Sequence, residues 1–203
     1  KKLDADKAIT FAHVGGRFAN LDWHKDGIEV AVEVHSDWGT FEWFVFEALK
    51  KGYKVGIVAG SDGHDGRPGA SYPGLGHFNV YGGLTCVLAR ELTREGVFEA
   101  LRQRHTYATT GMRAFLGVEA FSGGKCVGTM GDEINMGGSP ALRVNYKGTS
   151  AVDRIEIFDG QELIYTKYPE IQEVEGKIIK ISWSGSRVKG RAREMHWDVE
   201  AVF

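Results

Sequence analysis

The sequence predicts an α/β region, either a parallel sheet or an α/β barrel, followed by an all-β region. Up to about Gly111, short apolar runs alternate with segments in which apolar residues recur every three or four positions. This is the order of strands and helices in an α/β fold. From Arg113 onward, short strand-like runs are separated by glycine-rich turns without a helical pattern, which is typical of an antiparallel β-sandwich. We place the two regions at residues 1–112 and 113–203, without a flexible linker.

The predicted strands of the first region are nearly continuous apolar runs, as expected for strands that are buried on both faces of a parallel sheet. In such folds, polar residues that follow the strands line the functional site, because the carboxyl ends of parallel strands share one edge. The strands are predicted at residues 8–12, 28–34 and 54–59.

Two helices are predicted between and after these strands. Residues 41–49 carry apolar side chains three and four positions apart, and Gly52 follows as a residue that ends helices. The second helix begins after Thr93, whose hydroxyl is a suitable N-cap, and runs to Arg104.

The all-β region is predicted from short strands with turn signals between them. Asp159-Gly160, between two apolar runs, is a strong signal for a β-hairpin. Four alternating basic residues within 187–193 place positive charge on one face of a strand. We interpret this as a solvated face, with contact to a polyanion as the alternative. The strands are predicted at residues 115–121, 141–146, 154–158, 162–166, 177–183 and 194–203.

The composition is that of a globular protein, since 42% of the 203 residues are hydrophobic and 26% are charged. The net charge of −2 gives no global positive field, so we expect no nucleic-acid partner. The sequence contains neither an apolar run of about 18 residues for a membrane span nor an N-terminal signal pattern. We therefore expect no membrane partner, and the compartment stays open.

The chain begins with Lys1-Lys2-Leu3-Asp4, without a methionine, and a predicted strand follows almost at once. We interpret the chain as the later part of a longer one. A site that is assembled here is then expected to need a missing N-terminal segment of the same protein as its partner.

Three candidate metal ligands follow the predicted strands. His13 follows the first strand, and Asp62 and His64 follow the third in a glycine-rich turn. Imidazole nitrogen and carboxylate oxygen together form a donor set that zinc, manganese and iron accept. In the alternative interpretation, Asp62 caps a turn, His64 is exposed and His13 is a hydrogen-bonded structural residue.

The second predicted strand carries a polar stripe, because alternation places Glu33, His35 and Asp37 on one face. Carboxylates are seldom buried without a partner or a metal, so we expect the stripe to meet the site or solvent. His35 is a candidate functional residue, with a supporting or substrate contact as the alternative. For Glu33, orientation of a neighbouring group is the alternative to a place in the site.

Substrate contacts are predicted from a second set of residues. Arg17 follows the first strand, and its guanidinium suits an anionic oxygen, although a surface ion pair explains it equally well. Residues 65–77 form a long glycine-rich loop of the kind that often carries function. Within this loop, Arg67 and His77 are the candidate substrate-binding residues.

Four segments taken together resemble the polymerase and histidinol phosphatase (PHP) superfamily. The resemblance covers roughly the first 110 residues, and the order of the segments makes it more specific than any one segment. They are FAHVGGR at 11–17, VEVHSDWGTFEW at 32–43, GSDGHD at 60–65 and RHTYATTG at 104–111.

This resemblance implies the C-terminal part of a distorted (β/α)7 barrel with a β-sandwich-like extension, and a complete site that holds two or three zinc, manganese or iron ions. It implies that His13 corresponds to the histidine of the superfamily's third motif, and Asp62 and His64 to the Asp-X-His of its fourth. The first motif, a His-X-His, and the second, with a bridging glutamate, have no counterpart before His13. The chain alone is therefore expected to be inactive.

The resemblance implies metal-dependent hydrolysis, with phosphate esters as the leading class of small-molecule substrate. Divalent ions activate water for such reactions, and Arg17 and His35 are the candidate catalytic residues. Two alternatives stay open. One is a metal-dependent hydrolase of carboxylic or carbamic esters or amides, and the other is a non-catalytic binding module.

Overall fold

A computed structural model describes residues 3–4, 6–14, 19–67, 69–75, 80–169 and 197–200. Strands predominate in these residues, and each of the two α-helices contains 9 residues. In chain order the elements are β1 (Thr10–Ala12), a 3-10 helix (Leu21–Trp23), β2 (Glu29–Ser36), β3 (Gly39–Thr40), α1 (Glu42–Lys50), β4 (Gly56–Ala59), β5 (Leu84–Val87), α2 (Arg94–Arg102), β6 (Thr106–Thr109), β7 (Phe115–Ser122), β8 (Lys125–Thr129), β9 (Ala141–Lys147), β10 (Ile155–Asp159) and β11 (Glu162–Lys167).

β2 is the central strand of a four-stranded sheet. β1 and β4 both pair with it in parallel, and both pair at Ala31 and Val32, so they lie on its opposite edges. β3 turns back and pairs antiparallel with the end of β2. The carboxyl ends of β1, β2 and β4 therefore share one edge of the sheet.

The main core lies between this sheet and α1. Val32, Phe44 and Ala48 are fully buried and belong to one hydrophobic cluster. Phe44 and Ala48 are four residues apart, so they lie on the same face of α1. Full burial of a side chain such as valine or phenylalanine stabilises a fold by about 1.5–3 kcal/mol. This packing holds β2, and with it the polar side chains that leave the strand.

Both predicted helices are confirmed, and so is the predicted cap of the second. The Thr93 hydroxyl accepts a hydrogen bond from the N–H of Gly96 at 3.0 Å. An N-cap of this kind satisfies one of the backbone donors that a helix leaves unpaired at its start.

β5 and β6 pair antiparallel, and α2 connects them. Two threonines attach this pair to β4. The Thr85 hydroxyl donates to the Ala59 carbonyl at 2.7 Å, and the Thr106 hydroxyl donates to the Ile57 carbonyl at 2.9 Å. Side chains therefore make the connection at this edge of β4.

The described residues between 113 and 169 form two antiparallel sheets. β7 lies between β8 and β9 in a three-stranded sheet, and β10 and β11 form the predicted hairpin. The hairpin contacts α1, because the rings of Phe46 and Phe158 lie 5.5 Å apart and Gln161 Nε2 donates to the Phe46 carbonyl at 3.0 Å.

Polar contacts join the two regions at the end of α2. Arg104 donates to Glu133 at 2.9 Å, and the His105 ring lies 2.9 Å from an Asp132 oxygen. A hydrogen bond from the N–H of Thr129 is the main cause that holds the pKa of Asp132 below its usual value. These contacts fix the turn after β8 against the first region.

The predicted fold class is wrong. The described residues are mostly β, with two short helices, and they form no closed barrel, so the (β/α)7 barrel is not supported. The helical pattern before residue 104 predicts a crossover between parallel strands, whereas α2 joins two antiparallel ones. An apolar pattern specifies the type of an element and not the direction in which it pairs. Among the described residues after 113, the strands form a three-stranded sheet and a separate hairpin.

Several predictions fall partly or wholly outside the described residues. The strand predicted at 177–183, the basic face at 187–193, Arg17 and His77 lie outside them, and the strand predicted at 194–203 is described only at 197–200, where no strand is present. No helix within the described ranges combines the length and apolar character that a membrane crossing requires.

Candidate functional site

A small polar cluster lies where the carboxyl ends of the parallel strands meet. His13 directly follows β1, Glu33 belongs to β2, and Asp62 follows β4 by three residues. Together with Phe11 and Val58, these side chains line a cavity of about 340 Å³. We refer to His13, Glu33 and Asp62 as the strand-end cluster.

The imidazole of His13 bridges the two carboxylates of the cluster. Its Nδ1 makes a short contact with Glu33 Oε2, and its Nε2 lies 3.2 Å from Asp62 Oδ2. The side chain of Glu33 is 16% exposed and that of Asp62 is 24% exposed. Carboxylates that are this far removed from water need a compensating positive charge or hydrogen-bond donor.

The cluster favours a positive charge at its centre. The hydrogen bond with Glu33 is the main cause that raises the pKa of His13, and the negative charges of Glu33 and Asp62 add to it, while burial opposes the shift. Two carboxylates on one imidazole therefore stabilise its protonated form.

Asp62 is also contacted by Trp38, which is not a member of the strand-end cluster. The indole Nε1–H of Trp38 donates to Asp62 Oδ2 at 2.5 Å. The backbone of Asp62 has a positive φ of 52°, which few residues other than glycine adopt and which persists only where the surroundings enforce it. The hydrogen bond to Trp38 and the contact with His13 are two such constraints.

A glycine lets the chain after β4 pass close to the cluster. A Cβ atom at Gly60 would lie 2.6 Å from Glu33 Oε1, closer than nonbonded atoms approach. Glycine at this position therefore allows Glu33 to reach His13 beneath the loop that carries Asp62.

The other sequence-predicted residues are not part of the cluster. His64 and Arg67 are exposed, and within the described part of the chain neither side chain makes a hydrogen bond or an ion pair. The two ring nitrogens of His35 are engaged elsewhere: Nε2 donates to the Tyr81 carbonyl at 3.2 Å, and Nδ1 accepts from the Thr40 hydroxyl at 2.8 Å. This arrangement favours the supporting role that was the alternative for His35.

Glu33 and Trp38 belong to the site but were not among the catalytic or metal-binding residues predicted from the sequence. Glu33 contacts His13 directly, and orientation of a neighbouring group was the alternative interpretation for Glu33. Its signal was the polar stripe along β2. Trp38 had no signal, because a single tryptophan is normally core filling, and here its side chain also packs against the core.

The side chains of the cluster are of the types that bind divalent cations, although in the structure they contact one another. One imidazole and two carboxylates are ligands that zinc, manganese and iron accept. Among the described residues, no group of three or more His, Cys, Asp or Glu side chains already surrounds a common point for a metal. Both nitrogens of His13 face carboxylates, so one of these two contacts must open before the ring can bind a metal.

Comparisons with known proteins identify relatives without an assigned activity. Residues 71–137 match a family described as a protein of unknown function (DUF3604). The strand-end cluster lies before this segment. No solved structure matches the chain.

The curated relatives are much longer than this chain. An uncharacterized protein of Chlamydia pneumoniae is 34% identical over 138 residues, which cover 64% of this chain and 21% of the relative. An uncharacterized protein of Chlamydia muridarum is 32% identical over 144 residues, which cover 62% of this chain and 20% of the relative. The chain thus spans about a fifth of the length of these relatives, and neither description states an activity.

Proposed function

We propose that this chain contributes part of the active site of a metal-dependent hydrolase that acts on phosphate esters. The observation that carries the proposal is the convergence of His13, Glu33 and Asp62 in one cavity at the ends of three parallel strands. A divalent cation needs nitrogen and oxygen donors that converge where neighbouring negative charges favour a positive charge.

In this proposal, each member of the cluster has a separate task. Asp62 and His13 hold the cation, and Glu33 orients the imidazole through its hydrogen bond, as carboxylates do for ligand histidines. When bound, a divalent cation supplies the Lewis acidity that activates water and polarises an ester. His64 is a further proposed ligand, which requires the exposed turn after Asp62 to move inward.

The substrate class rests on the resemblance to the PHP superfamily. Arg17 and Arg67 are proposed to pair with the negative charge of a phosphoryl group, to which a guanidinium can donate two parallel hydrogen bonds. The remaining metal ligands are proposed to come from chain beyond these 203 residues, and the match to relatives of which it covers only about a fifth is compatible with that.

Metal binding by the 203-residue chain tests the proposal. Because further ligands are proposed to lie beyond this chain, binding should be weak, and calorimetric titration to millimolar Mn²⁺ or Zn²⁺ should show one event. Asp62→Ala should abolish that event, because the variant removes an oxygen ligand from the cavity. Asp65→Ala is the matched control, since Asp65 lies three residues further along the same turn and is exposed. Wild-type protein that binds neither ion, or Asp62→Ala protein that binds as wild type does, would contradict the proposal.

Anion binding separates the three candidate functions without requiring turnover. The metal-loaded chain should bind inorganic phosphate more tightly than acetate if phosphate esters are the substrates. Preference for acetate would support the hydrolysis of carboxylic esters instead. Absence of metal binding would leave the non-catalytic binding module.

A further inference from the structure

We infer that Trp38 is a positioning residue, which holds the carboxylate of Asp62 in the orientation that a cation needs. The inference rests on the proposed function, because it assigns a task toward the same cation. It depends on which of the two carboxylate oxygens of Asp62 is contacted by hydrogen-bond donors.

Both described donors to Asp62 contact the same oxygen. Trp38 Nε1–H donates to Oδ2 at 2.5 Å, and His13 Nε2 lies 3.2 Å from that oxygen. Within the described residues, Oδ1 accepts no hydrogen bond. Since Asp62 lines the cavity, the carboxylate presents one engaged oxygen and one oxygen that is available to a ligand.

Packing against the hydrophobic core fixes the position of the Trp38 indole. Trp38 lies in the turn between β2 and β3, and its side chain packs against the core cluster that contains Phe41 and Phe44. The turn is tied to the loop that carries Asp62, because the N–H of Asp37 donates to the Ser61 carbonyl at 2.9 Å. Two connections therefore run from this turn to adjacent residues of the loop, one through backbone and one through the indole.

The chemistry of the indole limits what Trp38 can do. An indole N–H is a donor only and cannot ligate a cation. Its hydrogen bond does fix the rotation of the Asp62 side chain, whose backbone already has an unfavourable φ of 52°. Without the indole, the carboxylate is free to rotate, and ordering it on binding a cation then costs affinity.

Replacement of Trp38 by phenylalanine tests this inference. Trp38→Phe keeps an aromatic ring in the core and removes the N–H, and Trp43→Phe is the matched control, because Trp43 is also partly buried against the same cluster. In calorimetric titrations of the 203-residue chain, Trp38→Phe should weaken Mn²⁺ binding by about 10–100-fold, the usual effect of losing a partner of a metal ligand. Trp43→Phe should leave the affinity unchanged.

A second measurement does not depend on a variant. In the wild-type protein, the indole N–H resonance of Trp38 should move when Zn²⁺ is added, because its acceptor becomes a ligand, while that of Trp43 stays in place. An indole signal of Trp38 that is indifferent to Zn²⁺, or a folded Trp38→Phe protein with wild-type affinity, overturns the inference and leaves the proposed function standing. Wild-type protein that binds neither ion overturns both.

Discussion

At the scale of the residue, His13 is the central member of the strand-end cluster. Its two nitrogens contact the carboxylates of Glu33 and Asp62, and two negative charges beside one imidazole favour positive charge there. The hydrogen bond with Glu33 above all, together with these charges, raises the pKa of His13. A divalent cation that uses the same donors has to displace the proton that this raised pKa favours.

Glu33→Gln tests this electrostatic description at the scale of the residue. Its hydrogen bond is the main cause of the raised pKa of His13, and glutamine keeps the shape of the side chain without its charge. The pKa of His13 in the metal-free variant should therefore fall toward the ordinary value of 6.5. Titration of the His13 ring protons by NMR measures this directly, with Glu42→Gln, an exposed substitution on α1, as the control.

The same substitution has a defined pH dependence. Because the folded state raises the pKa of His13, the stabilisation is fully present below pH 6.5 and is lost as the pH rises through the raised pKa. The free energy of unfolding should therefore drop more in Glu33→Gln at about pH 6 than at about pH 9. A loss that is equal at both values, or an unchanged pKa of His13, would argue against a charge effect.

At the scale of elements, hydrogen bonds involving Gly60, Ser71, Gly82 and Gly83 hold parts of the chain after β4 near the strand ends. The N–H of Gly83 donates to the Gly60 carbonyl at 2.7 Å, and the N–H of Gly82 donates to the Ser71 carbonyl at 3.1 Å. The Ser71 hydroxyl also donates to Asp37 at 2.5 Å. The loop predicted at residues 65–77 is therefore hydrogen-bonded, through Ser71, to the turn that follows β2.

Gly83→Ala should loosen this attachment. A Cβ atom at Gly83 would lie 2.4 Å from the Cβ of Ala59 and 2.9 Å from the His35 carbonyl oxygen, so the loop or β4 must move. We expect the free energy of unfolding to fall by about 1–3 kcal/mol, the usual cost of overpacking. Urea unfolding measures it, and Gly137→Ala is the control, because no atom lies within 4 Å of the Cβ position there. Equal stability of the two variants would show that the loop is not packed as described.

At the scale of the whole molecule, the parallel pairing of β1, β2 and β4 was predictable, and the antiparallel pairing of β5 with β6 was not. The apolar runs that predicted strands at 8–12, 28–34 and 54–59 all contain strands of the structure. β5 and β6 were missed, since each contains only four residues and neither run is distinctive. Their antiparallel pairing across α2 is what rules out the barrel, and it depends on contacts distant in sequence, such as Thr106 to Ile57.

The candidate site was predictable to the extent that it follows from parallel pairing. His13 and Asp62 both come after strands of one parallel sheet, so their meeting needed no knowledge of the loops. Trp38 and the exposed position of His64 depend on the paths of a turn and a loop. Such paths are set by single hydrogen bonds and glycines, which leave no periodic pattern in the sequence.

Anomalous X-ray diffraction from crystals soaked in Mn²⁺ or Zn²⁺ tests the central claim most directly. We predict a peak at the metal's absorption edge in the cavity between His13, Glu33 and Asp62, with Asp62 and one His13 nitrogen at about 2.0–2.2 Å from the ion. A cavity without a peak at saturating metal, or a peak bound only by residues outside the strand-end cluster, would contradict the account.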